Sequence, residues 1–224
     1  TWGDRDYNDV TNVPPGAHGA KRIVAGDYHC LALHSNGTVI AWGTDTSGQS
    51  SPPPGLDDIV DVAGGGWHNV ALREDGTVVC WGFDGDGRTS PPEGLSGVAA
   101  VGAGYQHSLA LLQNGTVVAW GRNDSSECDV PADLVGVIQV AGGHDYSAAV
   151  TSNGAVVVWG TMLATPAGLP PVSSIACGQY HVLARTRDER LFIWGWKNTS
   201  QQLDMPTELT NVTVMAVGDN HSVA

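Results

Sequence analysis

The chain has 224 residues, a formal net charge of −13 and an apolar content of 42%. Its ten basic residues form no stripe that could neutralise a row of phosphates, so the composition argues against DNA or RNA binding. No run of about 20 apolar residues is present that could form a transmembrane helix, so we expect no membrane partner.

The first predicted unit covers residues 23–43 and reads IVAGDYHCLALHSNGTVIAWG. Its first run is apolar and ends in small residues. In its second run, residues that face the core recur at every second position, as in a half-buried strand. Its third run is β-branched and ends in Trp42-Gly43. Asn36-Gly37 lies between the second and third runs, which predicts a hairpin with a type I′ turn.

Four more units of the same form follow, and a sixth one begins. They cover residues 60–82, 98–121, 137–160, 172–195 and 212–224. The pair Trp-Gly recurs six times, at Trp2, Trp42, Trp81, Trp120, Trp159 and Trp194. A period of about 39 residues indicates one supersecondary unit that is copied and stacked. No copy could bury a core alone, so we expect residues 1–224 to form a single domain.

These units predict an all-β protein of the β-propeller class. Each unit would be a blade of four short strands, or of three strands and an outer partner. Small residues such as Gly64-Gly65 and Gly142-Gly143 suit strands that crowd around a central axis. Large residues on the later strands would pack blade against blade. A solenoid of stacked β-coils is the alternative, although its coils are usually shorter.

The pattern V-x-x-V-A-A-G-x-x-H-S-L-A-L-x-x-D-G-x-V-x-x-W-G resembles the repeat of the regulator of chromosome condensation (RCC1-like) family. The copy length and the loop Asp45-Thr46-Ser47-Gly48-Gln49 look closest to its compact bacterial members, which include a secreted propeller that inhibits β-lactamases. The resemblance implies a β-propeller, commonly of seven blades, that binds proteins through loops on one face. The compact blades argue against the nucleotide-exchange role known in the family.

The sequence holds five full units and one divided unit. We expect Thr1-Trp2-Gly3 to complete the blade that residues 212–224 begin, which would close a six-bladed ring and leave no exposed strand edge. A fragment of a longer, seven-bladed array is the alternative.

Alternating strand directions define two faces. The upper face carries the loops before the repeated histidines and the loops after Trp-Gly, whereas the lower face carries the Asn-Gly turns and the Pro-Gly-Leu connections. Aromatic residues that interrupt the repeat in the upper loops are candidate anchors for a partner, because Trp and Tyr are common binding hot spots. They are Tyr28, Trp67, Phe83, Tyr105, Tyr180 and Trp196. Polar candidates on the same face are Asp27, Asp45, Asp84, Asp145 and Asn198.

A column of histidines recurs at the start of the second strand, with Tyr146 in the fourth unit. Its members are His29, His68, His107, His181 and His221. Each lies on the same face of its strand as an apolar residue two positions later, which predicts a packed and structural role. Equivalent positions also lie too far apart around a ring to share one metal ion.

No metal site is predicted from the cysteines or the acidic loops. Cys30, Cys80, Cys128 and Cys177 form no C-x-x-C pair, so we expect small buried side chains rather than a zinc site, and their redox state stays open. Residues 84–87 read DGDG but lack the further oxygen ligands of a calcium-binding EF-hand.

Recognisable catalytic motifs are absent, so we predict no catalytic residue and no cofactor. The leading hypothesis is a non-enzymatic propeller that binds another protein through its upper face, with acidic loops that steer a basic patch. The resemblance suggests inhibition of a secreted enzyme and favours a secreted location. A carbohydrate-binding lectin is the alternative, followed by a hydrolase or lyase with loop carboxylates. The oligomeric state stays open.

Overall fold

The computed structural model describes residues 10–161, 164–196, 201–206, 209, 212, 214–218 and 221–224. A short 3-10 turn at Pro15–Ala17 precedes the first strand. The first two units form Arg22–Ala25 (β1), His29–Leu33 (β2), Val39–Gly43 (β3), Ile59–Gly64 (β4), His68–Arg73 (β5) and Val78–Gly82 (β6). The next two form Val98–Ala103 (β7), His107–Leu112 (β8), Val117–Gly121 (β9), Val137–Gly142 (β10), Tyr146–Thr151 (β11) and Val156–Gly160 (β12). The last strands are Val172–Cys177 (β13), His181–Thr186 (β14), Leu191–Gly195 (β15), Ala216–Val217 (β16) and Ser222–Val223 (β17).

The strands form five three-stranded antiparallel sheets and a sixth sheet of two strands, β16 and β17. In each complete unit the second strand lies in the middle of its sheet. The first strands of successive sheets contact one another, as β4 contacts β7 and β7 contacts β10. These strands therefore lie innermost. The arrangement is the all-β propeller that the repeat predicted, with three strands in each of the first five blades.

Where the third and fourth blades meet, the inner strands approach so closely that no side chain would fit at Gly142. A Cβ at Gly142 would lie 2.5 Å from the Gly104 nitrogen and 2.6 Å from its Cα. Gly142 is therefore required at this contact, whereas Ala103 and Cys177 occupy the equivalent end of β7 and β13.

The repeated tryptophans form the contact between neighbouring blades. Their exposed fraction is 6–8% in the five copies that the structure describes. Trp81 packs in one cluster with Leu31 and Leu33 of the preceding blade, and Trp120 packs with Val70 and Leu72. The expected blade-to-blade core is confirmed. Trp2 lies outside the described residues, so closure of the ring by Thr1-Trp2-Gly3 stays a prediction.

The hairpins are present, but their predicted turn type is wrong. The Gly37 N–H donates to the His34 carbonyl at 3.0 Å, and only the glycine of the pair Asn36-Gly37 has a positive φ, of 82°. A type I′ turn needs a positive φ at both positions. The loop is instead a type I turn that the glycine closes. Asn36 Oδ1 accepts the Thr38 N–H at 3.1 Å, so this side chain stabilises the turn without a left-handed backbone.

In the part of the chain that the structure describes, no helix is both long and apolar enough to span a membrane.

Candidate functional site

The loops before the second strands and the loops after Trp-Gly meet at one end of the propeller. Their backbones pair within each blade: Thr44 N–H donates to Tyr28 O at 2.8 Å, Phe83 N–H to Trp67 O at 2.8 Å, and Trp196 N–H to Tyr180 O at 3.0 Å. Because the strands are antiparallel, the hairpin turns lie at the opposite end. The structure thus brings the predicted upper loops together.

Backbone hydrogen bonds also join the upper loops of neighbouring blades. The Gly66 N–H donates to Tyr105 O at 3.1 Å, the Tyr105 N–H to Gly143 O at 2.9 Å, and the His144 N–H to Gln179 O at 3.3 Å. These bonds link the loops of the second to the fifth blade. The upper face is therefore a connected platform rather than a set of independent loops.

Aromatic rings follow this platform from blade to blade. The Tyr28 and Trp67 centroids lie 5.0 Å apart, and Tyr105 stacks on His144 at 4.3 Å. His144 lies 5.7 Å from Tyr180, whose ring meets Trp196 edge-on at 6.2 Å.

The two groups of rings are bridged through a glycine. The Tyr105 ring lies against Gly66, where a Cβ would be 2.7 Å from a ring carbon. Gly66 directly precedes Trp67, so the series continues across the blades. We call this series the aromatic arc. Its members are Tyr28, Trp67, Tyr105, His144, Tyr180 and Trp196.

His144 is the member of the aromatic arc that sequence reasoning missed. It occupies the same repeat position as Tyr105, two residues before the second strand, and an alignment of the copies could have shown this. Its Nδ1 lies 2.9 Å from Oδ2 of Asp145, which is a predicted site residue. Asp145 therefore lies beside the middle of the arc.

Phe83 lies on the upper face but makes no ring contact with the arc in the described residues. Its ring centroid is 5.0 Å from the guanidinium carbon of Arg88, and 44% of the residue is exposed. It is a separate exposed aromatic residue of the second blade.

Two of the acidic candidates bind groups of their own loops. Asp45 accepts the Ser50 N–H at 2.8 Å and the Ser51 hydroxyl at 2.6 Å. Asp84 accepts the Thr89 N–H and the Ser90 hydroxyl, both at 2.8 Å. Partial burial acts to raise the pKa of Asp84, but these hydrogen bonds outweigh it and lower the pKa below its usual value.

The remaining acidic and polar candidates differ in position. Asp27 is half-buried on the upper face, whereas Asn198 lies outside the described residues. Among the described residues, no group of three His, Cys, Asp or Glu side chains could hold a metal ion.

The repeated histidines bind the next blade. His68 Nε2 lies 3.0 Å from Ser108 Oγ, and this hydroxyl donates to the Arg88 carbonyl at 2.8 Å. Because the hydroxyl has only one hydrogen, His68 must donate from Nε2. The Trp120 indole N–H donates to the same carbonyl at 3.0 Å.

The same geometry recurs in the following blade and explains the charge state of these histidines. His107 Nε2 lies 2.9 Å from Ser147 Oγ, which donates to the Glu127 carbonyl at 2.8 Å. Burial lowers the pKa of His68 to about 3, helped by the nearby Arg88, and burial lowers the pKa of His107 to about 4. Both imidazoles are neutral near pH 7, which fits the structural role predicted for the column.

The four cysteines are free and half-buried. Burial raises the pKa of the Cys80, Cys128 and Cys177 thiols to about 12. The thiolate is the reactive form of cysteine, so these protonated thiols are poor nucleophiles at neutral pH.

Comparison with known families gives a match over more than half of the chain. The regulator of chromosome condensation (RCC1) repeat is found at residues 20–49, 59–88, 98–127 and 172–202. The unmatched fourth unit is the one with Tyr146 in place of the histidine. No curated protein matches the sequence.

Solved structures match the fold at low sequence identity. The ectodomain of the receptor kinase CR4 from Physcomitrella patens is 20% identical with a TM-score of 0.75, and the match covers 88% of this chain and 55% of that one. Human WBSCR16 is 23% identical with a TM-score of 0.72, over 89% of this chain and 70% of that one. Prp20p from Saccharomyces cerevisiae, described with its binding to Gsp1p and histones, is 20% identical with a TM-score of 0.75, over 95% and 70%.

The chain thus spans 55–70% of the length of these three proteins. The expected closeness to compact bacterial members is not confirmed by these matches.

Proposed function

Because the chain belongs to the regulator of chromosome condensation (RCC1) repeat family, we propose that it is a non-enzymatic propeller that docks a partner protein on its upper face. The aromatic arc is the observation that carries this proposal. The repeat pattern leaves the two positions before the second strand variable, yet an aromatic side chain occupies one of them in each of the first five blades.

Two properties of the arc favour binding. Trp196 is 60% exposed and Tyr28 is 37% exposed, and Trp and Tyr are the residues most enriched among binding hot spots. The backbone bonds between upper loops hold the platform before a partner arrives. Less ordering is then needed on association, which lowers its entropic cost.

Charge favours a partner with a basic surface. The chain has a net charge of −13, and Asp27 and Asp145 lie on the upper face. Complementary charge of this kind speeds encounter and suppresses wrong partners. The protein partners named for yeast Prp20p agree with a docking role, although a likeness of this degree concerns the fold.

The finer proposal, that the partner is a secreted enzyme which this propeller inhibits, rests on the resemblance of its short repeats to compact bacterial members. It would place the protein outside the cell.

Affinity capture from the native environment tests the docking face. We expect Trp67→Ala to weaken the partner complex by about 2 kcal/mol or more, because a truncated aromatic hot spot costs that much. Val135→Ala is the matched control, since Val135 is 71% exposed in a lower connection. Proteins captured by the wild type and by Val135→Ala should be lost with Trp67→Ala.

Equal capture by all three folded proteins would contradict the proposal. Binding to a glycan array without capture of any protein would also contradict it and would favour the lectin alternative.

A further inference from the structure

One repeat position carries a buried polar side chain in the loop after Trp-Gly, and the second blade differs there from its neighbours. Gln49 in the first blade accepts the Ser47 N–H through Oε1 at 2.8 Å. Glu127 in the third blade accepts the Ser125 N–H through Oε2 at 2.8 Å. The second blade has Arg88 at this position, and a guanidinium has no acceptor atom.

Donor and acceptor are therefore exchanged in the second blade. The Arg88 guanidinium donates to the carboxylate of Asp86, the residue equivalent to Ser47 and Ser125. The Arg88 side chain is only 1% exposed, and a buried charge is tolerated only when it is paired.

The exchange brings a cation to the ring of Phe83. The guanidinium carbon lies 5.0 Å from the ring centroid, within the range of a cation–π interaction. The ring also packs on Gly85, where a Cβ would overlap it. Phe83 is thus held between Gly85 and Arg88 while 44% of the residue stays exposed.

The sequence Asp84-Gly85-Asp86-Gly87-Arg88, which superficially suggests calcium binding, is explained by this arrangement. Asp84 closes the loop, Gly85 leaves space for the ring, and Asp86 neutralises Arg88.

We propose that Arg88 is a positioning residue of the docking face, which holds Phe83 in a fixed, exposed orientation as an anchor for an apolar pocket on the partner protein. This inference rests on the proposed function. An exposed ring that is already ordered binds at a lower entropic cost than a free one. Among the described blades, the residue directly after Trp-Gly is aromatic only in the second and fifth, at Phe83 and Trp196. These two blades would therefore each present an aromatic anchor from the loop after Trp-Gly.

Fluorine NMR tests the position of the ring directly. The chain has two phenylalanines, Phe83 and Phe192, so labelling with para-fluorophenylalanine gives two signals, and Phe192→Leu assigns them. We expect the Phe83 signal of the folded protein to differ from its value in urea, and Arg88→Gln to move it toward that value. The variant should fold normally, because Gln restores the arrangement seen at Gln49.

Gly85→Ala is the second variant, because its methyl group would displace the ring and move the same signal without touching the buried position. A Phe83 signal at the urea value in the wild type, or one that neither variant moves, would overturn the proposal. This result is independent of whether the upper face binds a partner.

The anchor role is then measured with the protein captured in the Trp67 experiment as the probe. Loss of the cation–π contact should weaken the complex of Arg88→Gln by roughly three- to thirtyfold. Phe83→Ala should weaken it at least as much, and Phe192→Leu should leave it unchanged. Unchanged affinity of Arg88→Gln beside a weakened Trp67→Ala would overturn this inference and leave the docking face standing.

Discussion

A single side chain of one blade can satisfy two buried polar groups of the preceding blade. Ser108 accepts from His68 of the preceding blade and donates to the Arg88 carbonyl in the loop between them. His68 and Arg88 are both buried, so neither group can form a replacement hydrogen bond to water if the hydroxyl is removed. The Ser108 hydroxyl therefore adds to the stability of the contact between these two blades, beside the apolar core around Trp120.

We therefore expect Ser108→Ala to lower the free energy of unfolding by about 1–3 kcal/mol, because it leaves the buried His68 N–H without an acceptor. Urea denaturation measures this change. Ser96→Ala is the control, since Ser96 is exposed in a lower loop, and it should change stability by less than about 0.5 kcal/mol. Equal effects of the two substitutions would contradict the role of Ser108.

The hairpin turns of the five blades share a residue whose backbone lies in the left-handed region. Glycine occupies it in the first four blades, as at Gly115 with a φ of 81°, but the fifth blade has Glu189 with a φ of 65°. The backbone bond of the turn is retained, since the Glu189 N–H donates to Thr186 O at 3.0 Å. The fifth hairpin therefore carries a strain that the others lack.

Glu189→Gly should raise the free energy of unfolding by roughly 0.5–1 kcal/mol, because relief of the left-handed strain exceeds the entropic cost of glycine. The lost ion pair with Arg185 contributes little, since the Glu189 side chain is 62% exposed. Thermal unfolding measures the change, and Gly115→Ala should show the opposite sign. A destabilised Glu189→Gly protein would contradict the assignment of strain.

Neutral histidines lie between successive blades in the described part of the propeller. Burial lowers the pKa of His68 to about 3 and of His107 to about 4, and it also lowers the pKa values of His29 and His181. In the unfolded chain these groups titrate near pH 6.5. Below that pH the unfolded state binds more protons than the folded state, so acid favours unfolding.

We expect the free energy of unfolding to fall by about 1.4 kcal/mol per pH unit for each of His68 and His107 between about pH 6 and pH 5. Denaturant titrations at several pH values measure this slope. A flat profile over this range would contradict the neutral, buried state of the histidines.

Much of this architecture could be predicted from the sequence because each blade repeats the same local signals. The spacing of Trp42 and Trp81 predicted the blades, and the parity of His68 with its apolar neighbours predicted its burial. The blade-to-blade core was predictable too, but the contacts of particular side chains in the upper loops were not. The stacking of Tyr105 on His144 joins residues 39 positions apart. The position of the Phe83 ring between Gly85 and Arg88 depends on a buried guanidinium in a loop that has Gln or Glu at this position in two other blades. The turn at Asn36 was misassigned because Asn-Gly suits two turn types that differ only in backbone geometry.

If the aromatic arc is the docking face, a bound partner covers the upper loops, and hydrogen exchange of the protein with its captured partner measures this coverage. We predict that the partner slows exchange in the upper loops at residues 26–29, 65–68, 104–107, 143–146 and 178–181. The lower hairpin turns at residues 34–38, 73–77 and 112–116 should exchange as in the free protein. Protection of the lower turns with unchanged upper loops would contradict a docking role of the aromatic arc.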